Sequence, residues 1–155
     1  MVARDIMTRD TITIRPGVSL AEAAKLMLKH GLNALPVVDQ EHVVGMIGIK
    51  DILRAPIPSF YDTLIHKWTR PEEKAALLLE VRVEQVMARN VVSVEEETPV
   101  MEVTALMANR GLHPIPVLRE SRLIGIIGRA DAVRALLDLA DAHESSPGEA
   151  LTQDG

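Results

Sequence analysis

The sequence predicts an α/β (α+β) protein built from two tandem β-α-β-β-α units. Three observations carry this. First, the chain repeats itself. Displaced by 80 residues, Met7 falls on Met87, Glu22 on Glu102, Gly31 on Gly111, Pro36 on Pro116 and Asp51 on Asp131, with no gap needed from Val2 to Arg54. Second, each copy moves from polar–apolar alternation to a helical apolar stripe and back to two short apolar strands. Third, glycine and polar pairs fall where those patterns change.

The elements follow in order. "TITI" at Thr11–Ile14 alternates as a half-buried strand does, and "VVSV" at Val91–Val94 is its counterpart. Ser19 with Glu22 three residues on is a capping box that opens a helix. In the second copy Thr98 takes the cap and Pro99 the first helical position. Leu20, Ala23, Ala24, Met27 and Leu28 form one apolar stripe, repeated by Val100, Val103, Thr104, Met107 and Ala108. Gly31 and Gly111 sit where a left-handed helix end is expected. "LPVV" and "VVGMIG" then read as two strands around the polar turn Asp39–His42, and a second helix begins near Asp51 and near Asp131.

Composition narrows the function. Apolar residues make up 47% of the chain but only three residues are aromatic, so the core must be aliphatic. A net charge of −5 offers no basic field for nucleic acid or an anionic membrane surface. The absence of cysteine excludes disulfides, thiol catalysis and cysteine metal sites, and it fits the cytoplasm. The first ten residues lack the apolar run of a secretory signal, and no stretch approaches the roughly 18–20 apolar residues of a membrane span. His30, His42, His66, His113 and His143 fall into no ligand spacing, and no P-loop or nucleophile motif occurs.

The words "RDIMTRDTITI", "HGLNALPVV" and "GMIGIKD", echoed by "EQVMARNVVSV", "RGLHPIPVL" and "GIIGRAD", resemble those of the cystathionine-β-synthase (CBS) domain. Two in tandem resemble a Bateman module. The resemblance covers about two thirds of the chain and gives a first CBS domain over 1–55 and a second over 82–142, joined by an insert over 56–81; the small, polar composition of 143–155 predicts a disordered tail. It implies two domains packed sheet against sheet about a pseudo-two-fold axis. It also implies two interface clefts that bind adenosine-containing ligands (AMP, ADP, ATP or S-adenosylmethionine), no catalysis and no obligatory cofactor. The implied partners are a second copy of the chain, in a homodimer, and a regulated protein that the sequence does not name.

The resemblance also singles out residues. Asp51 and Asp131 stand where the family's carboxylate accepts hydrogen bonds from ribose hydroxyls; an aspartate at a helix start is equally a cap. Gly48 and Gly128 stand where the family carries Ser or Thr. Glycine there either lets the backbone approach a phosphate or marks a site that has lost its ligand. Asn33 and Ala34, and in the second copy His113 and Pro114, precede the "PV" strand and would line base and phosphate; Arg129 and Lys50 would pair with phosphate, or be solvated surface charges. Thr13 and Ser93 would donate to base or sugar, or face outward from an edge strand. With His113 and Arg129 on the same side, the Asp131 cleft is the one an anionic ligand is expected to prefer.

The insert holds Phe60, Tyr61 and Trp68, all the aromatics of the chain, and a helix opening at Thr69 and Glu72. It reads either as a strap over the pair or as a lid or partner surface. Two function classes stand against each other: a nucleotide sensor that reports to a partner, and a structural dimerisation module with empty clefts. An enzyme of the IMP dehydrogenase kind is disfavoured, because there is no room for its catalytic barrel.

Overall fold

A computed structural model of the chain describes residues 1–55 and 71–146. The three aromatics, His66 and the Thr69 cap of the insert lie outside the described residues, as does the tail beyond 146. The elements are α1 (Ala3–Ile6), α2 (Leu20–His30), β1 (Ala34–Asp39), β2 (His42–Gly48), α3 (Ile49–Arg54), α4 (Pro71–Glu80), α5 (Val83–Val86), β3 (Val94–Glu95), α6 (Val100–Arg110), β4 (Ile115–Arg119), β5 (Arg122–Ile127) and α7 (Arg129–Ser145).

The helix signals act as their chemistry predicts. Ser19 Oγ accepts from the Glu22 amide at 3.2 Å, and Gly31 and Gly111 end α2 and α6 with φ of 63° and 62°. The stripe of α2 buries Leu20, Ala23 and Met27 completely. Three details differ from the sequence reading. Pro99, not Thr98, flanks α6, with extended ψ of 139°, and no side chain caps that helix. Helices α3 and α7 start two residues before the aspartates, which places Asp51 and Asp131 in the first turn. Helix α7 also runs through His143 to Ser145, three residues into the segment expected to be an unstructured tail.

The strands form two small sheets, β1-β2 and β3-β4-β5. Both hairpins turn through two non-glycine residues with positive φ (Gln40 and Glu41; Glu120 and Ser121), as two-residue turns require. Both carry the same register irregularity, after Val37 and after Val117. The strand expected at Thr11–Ile14 is reduced to a single bridge, Ile14 beside Val37, and that at Val91–Val94 to the two residues of β3. Proline explains the difference between the copies. Glu96 extends β3 by donating its amide to the Leu118 carbonyl, and its 80-residue counterpart is Pro16, which has no N–H to give.

The two units exchange their leading arms. The arm carrying α1 leaves the first unit and packs on the second: Ala3 and Met7 join the core of Val94, Val103, Ile115, Val117 and Ile127. Reciprocally, the arm carrying α5 packs on the first unit, where Val83 and Met87 join Leu20, Met27, Leu35, Val37 and Ile47. The backbone pairs match one for one: Thr8 with Ile126 and Ala88 with Met46, Val2 with Pro99 and Arg82 with Ser19. Every contact and its counterpart differ by 80 residues, which is the signature of an internal two-fold relation. Strands β2 and β5 meet across it, and at one end the two hairpin turns touch, with His42 Nδ1 3.2 Å from the Ser121 carbonyl and Arg122 3.3 Å from Glu41.

Candidate ligand clefts

Two clefts open between the units. Asp51 lies at one and Asp131 at the other, and both carboxylates are held the same way. Asp51 Oδ2 accepts from the Gly48 amide at 2.7 Å, and Asp131 Oδ2 accepts from the Gly128 amide at 2.8 Å. Each aspartate occupies the third helical position and reaches back to satisfy a donor that the helix leaves unpaired. The capping role is therefore present in both copies, and it fixes one oxygen on a backbone amide while leaving the other for a further partner. That second oxygen differs. Asp131 Oδ1 accepts from Arg134 Nη1 at 2.9 Å, whereas Asp51 Oδ1 has no hydrogen-bond partner among the described residues.

The cleft over Asp51 has a volume of about 650 Å³, and that over Asp131 about 560 Å³. Each draws on both units. Around Asp51 stand Gly48, Lys50 and Arg54, faced by Asn90, Val91 and Val92. Around Asp131 stand Gly128, Ala130 and Ile126, faced by Thr8, Asp10 and Thr11. Asn33, Ala34, His113, Pro114 and Arg129 form a wall common to both clefts. His113 is thus a neighbour of both aspartates, not of Asp131 alone. Its imidazole is held below its ordinary pKa by desolvation first, then by the positive charges of Arg129 and Lys50.

Thr13 and Ser93 line neither cleft. The segment lines the clefts just before them, with Thr11 and Ile12 and with Val91 and Val92, before Ile14 and Val94 reach the sheets. The sequence reading did not single out Thr8, Asp10, Thr11, His30, Arg54 or Asn90. The repeat itself marks one pair among them, since Asp10 and Asn90 are 80 residues apart and take matching places in the two clefts.

Gly48 and Gly128 are not demanded by space. A Cβ on Gly48 would lie 3.5 Å from the nearest atoms, and one on Gly128 3.4 Å from Asp131 Oδ2, both ordinary contacts. Their φ values of −119° and −92° suit any residue. Among the described residues no group of three His, Asp or Glu side chains is placed to hold a metal, and no helix is long and apolar enough to cross a membrane.

This architecture of paired, arm-exchanged β-α-β-β-α units is that of a CBS pair, and the CBS domain family model matches residues 3–57 and 83–138. The chain belongs to the CBS domain family. It is 31% identical, over 97% of its length and 82% of the other's, to an uncharacterized 17.7 kDa protein of Acidianus ambivalens. It is 29% identical over 86% of its length to L-aspartate semialdehyde sulfurtransferase of Methanocaldococcus jannaschii, of which it spans only 23%. Among solved structures it resembles the CBS pair of protein MJ0100 in complex with 5′-methylthioadenosine and S-adenosyl-L-methionine, at 28% identity and a TM-score of 0.68, covering 90% of this chain and 98% of that one. It also resembles AcuB from Vibrio cholerae, at 25% identity and a TM-score of 0.74, covering 96% of this chain and 98% of that one.

Proposed function

We propose that this protein is a non-catalytic regulatory sensor that binds an adenosine-containing ligand in its inter-unit clefts and passes the bound state to a partner protein. The observation that carries this reading is the pair of carboxylates pinned by glycine amides in clefts of about 560 and 650 Å³. Those volumes fall within the roughly 300–1,000 Å³ typical of small-molecule sites. A carboxylate with one oxygen fixed on a backbone amide can accept from the adjacent hydroxyls of a ribose through the other, which at Asp131 is shared with Arg134. The MJ0100 pair, described in complex with two adenosine derivatives, supports the ligand class.

Because both units line each cleft, a ligand contacts the joint between them. It can shift the relation of the units only if it binds one arrangement better than another. Two chains pair through their helical faces: Leu53 on α3 and Val133 on α7, counterparts in the repeat, are both 56% exposed and form a two-fold-related apolar pair suited to a second copy. Glycine at both hydroxyl positions favours a second reading, a dimerisation scaffold whose clefts take no ligand.

The deciding experiment is thermal shift with calorimetry, using AMP, ADP, ATP, S-adenosylmethionine and 5′-methylthioadenosine. Stabilisation by at least one, weakened in Asp51→Ala or Asp131→Ala, is the expected result. No heat and no shift with any of the five would leave the scaffold.

A further inference from the structure

The two clefts are built alike but charged differently, and the difference is local to equivalent positions. Where the Asp131 cleft has Asp10, the Asp51 cleft has Asn90. Where the Asp131 cleft has Ala130, the Asp51 cleft has Lys50. Arg54 lines the Asp51 cleft, but its counterpart Arg134 stands outside the lining of the other cleft and is bound to Asp131. Arg129 lies on the common wall and counts for both. His113, also common, is held toward its neutral form and adds charge to neither. The Asp51 cleft therefore sets Lys50, Arg54 and Arg129 against one carboxylate. The Asp131 cleft sets Arg129, with His30 beside it, against Asp10, its own aspartate already neutralised by Arg134.

We infer that the clefts are specialised for different ligands: the Asp51 cleft for a phosphate-bearing nucleotide and the Asp131 cleft for an adenosine derivative without phosphate. This rests on the adenosine-ligand reading above and adds a division of labour to it. The chemistry is direct. A phosphate brings one to two negative charges that need cationic donors in place, and only the Asp51 cleft has cations in excess. In the Asp131 cleft a phosphate would face Asp10 with, among the described residues, no lysine or arginine beyond Arg129, and His30 as the one ionisable donor particular to that cleft. Asp51 Oδ1, without a hydrogen-bond partner among the described residues, can accept from ribose, while the unphosphorylated ligand of the other cleft must share Asp131 with Arg134. Arg129 adds a consequence. Drawn toward a phosphate in one cleft, it leaves the other without its cation and still less suited to an anion, so the two ligand types can be held together where two phosphates cannot.

The test is calorimetry on the full chain with AMP and 5′-methylthioadenosine, alone and in sequence, for the natural protein, Lys50→Glu and Asp131→Asn. Lys50 is exposed, so its reversal leaves the core untouched, and the amide introduced by Asp131→Asn retains an oxygen for the Gly128 N–H. The expected result is one AMP per chain, and undiminished binding of 5′-methylthioadenosine to AMP-saturated protein. Lys50→Glu should weaken AMP by about tenfold or more while leaving the second ligand within about twofold. Asp131→Asn should do the reverse. Competition between the two ligands for one site, two equal AMP sites per chain, or loss of AMP binding in Asp131→Asn but not in Lys50→Glu would overturn the specialisation while leaving adenosine binding intact. Absence of heat with both ligands would overturn the adenosine reading and this inference with it.

Discussion

Met87 packs its side chain onto the bare backbone of Gly45: a Cβ built on that glycine would lie 2.5 Å from the Met87 sulfur and 2.9 Å from the Ala88 carbonyl oxygen. The counterpart is Met7 over Gly125, at 2.5 Å from sulfur and 3.0 Å from the Thr8 carbonyl. Each glycine thus opens a seat on the sheet for the methionine of the exchanged arm. The arm is then fixed by paired backbone bonds, Met46 with Ala88 and Ile126 with Thr8, all between 2.8 and 2.9 Å.

Gly45→Ala and Gly125→Ala should each destabilise the protein by roughly 1–3 kcal/mol, the usual cost of overpacking a well-filled core. The sulfur can move; the carbonyl beyond it cannot move without breaking the ladder. Urea unfolding measures the cost, with Gly48→Ala as the reference, because a Cβ there meets nothing closer than 3.5 Å. Equal midpoints for Gly45→Ala and Gly48→Ala would mean that the arm is not seated as described.

The fold was legible because the repeat doubles every local signal. Ser19, Gly31 and Gly111 read as caps and act as caps. The first strand was overread, because "TITI" alternates correctly but Pro16 stops the ladder that Glu96 continues in the other copy. The arm exchange was not legible. Residues 2–8 and 82–88 repeat each other whichever unit they pack on, and that choice depends on where the chain is in space. In the clefts, Asp51 and Asp131 stand out because each ends a strand-to-helix word. Asp10 and Asn90 lie in loops without periodicity, and only the 80-residue pairing connects them. Thr13 and Ser93 followed from the overread strand, whose approach lines the clefts with Thr11 and Ile12 and with Val91 and Val92 instead.

Gly48→Ser and Gly128→Ser should be tolerated and should strengthen ligand binding. Both positions flank a helix start, where serine and glycine differ by only a few tenths of a kcal/mol. The added hydroxyl supplies a further donor beside each aspartate, worth about 1 kcal/mol to a bound sugar or phosphate. Unfolding midpoints and calorimetric affinities for AMP and 5′-methylthioadenosine check both halves. Weaker binding in a folded variant would show that the ligand approaches the glycine backbone itself.

Leu53→Asp and Val133→Asp should split a dimer into monomers. Both side chains are more than half exposed, on helices that bury the neighbouring Ile52 and Ala132 in the units. Charge introduced on the outer face therefore leaves the core alone and penalises only association. Sedimentation velocity at micromolar concentration should give a dimer for the natural protein and a monomer for either variant, at unchanged helix content. A natural protein that sediments as a monomer removes the proposal of pairing.

Binding of AMP should take up protons through His113. In the free protein the imidazole is kept below its ordinary pKa by desolvation, Arg129 and Lys50, so it is neutral at pH 7. A group of this kind works against the folded state in acid. As pH falls through about 6.5 the unfolded chain protonates first, so the free protein loses stability below that point. A phosphate placed among Lys50 and Arg129 reverses the balance, because it screens both cations and favours the imidazolium. Affinity for AMP should therefore rise as pH falls from 7.5 toward 6, with a proton taken up on binding. The phosphate itself titrates near pH 6, so His113→Asn provides the reference. Calorimetry in two buffers of different ionisation enthalpy should show an uptake in the natural protein that the variant lacks, and none for 5′-methylthioadenosine in either. The same cations favour the phosphate dianion, so the nucleotide itself releases protons on binding; equal uptake by the natural protein and His113→Asn would place the titrating group on another residue and remove His113 from the phosphate's surroundings.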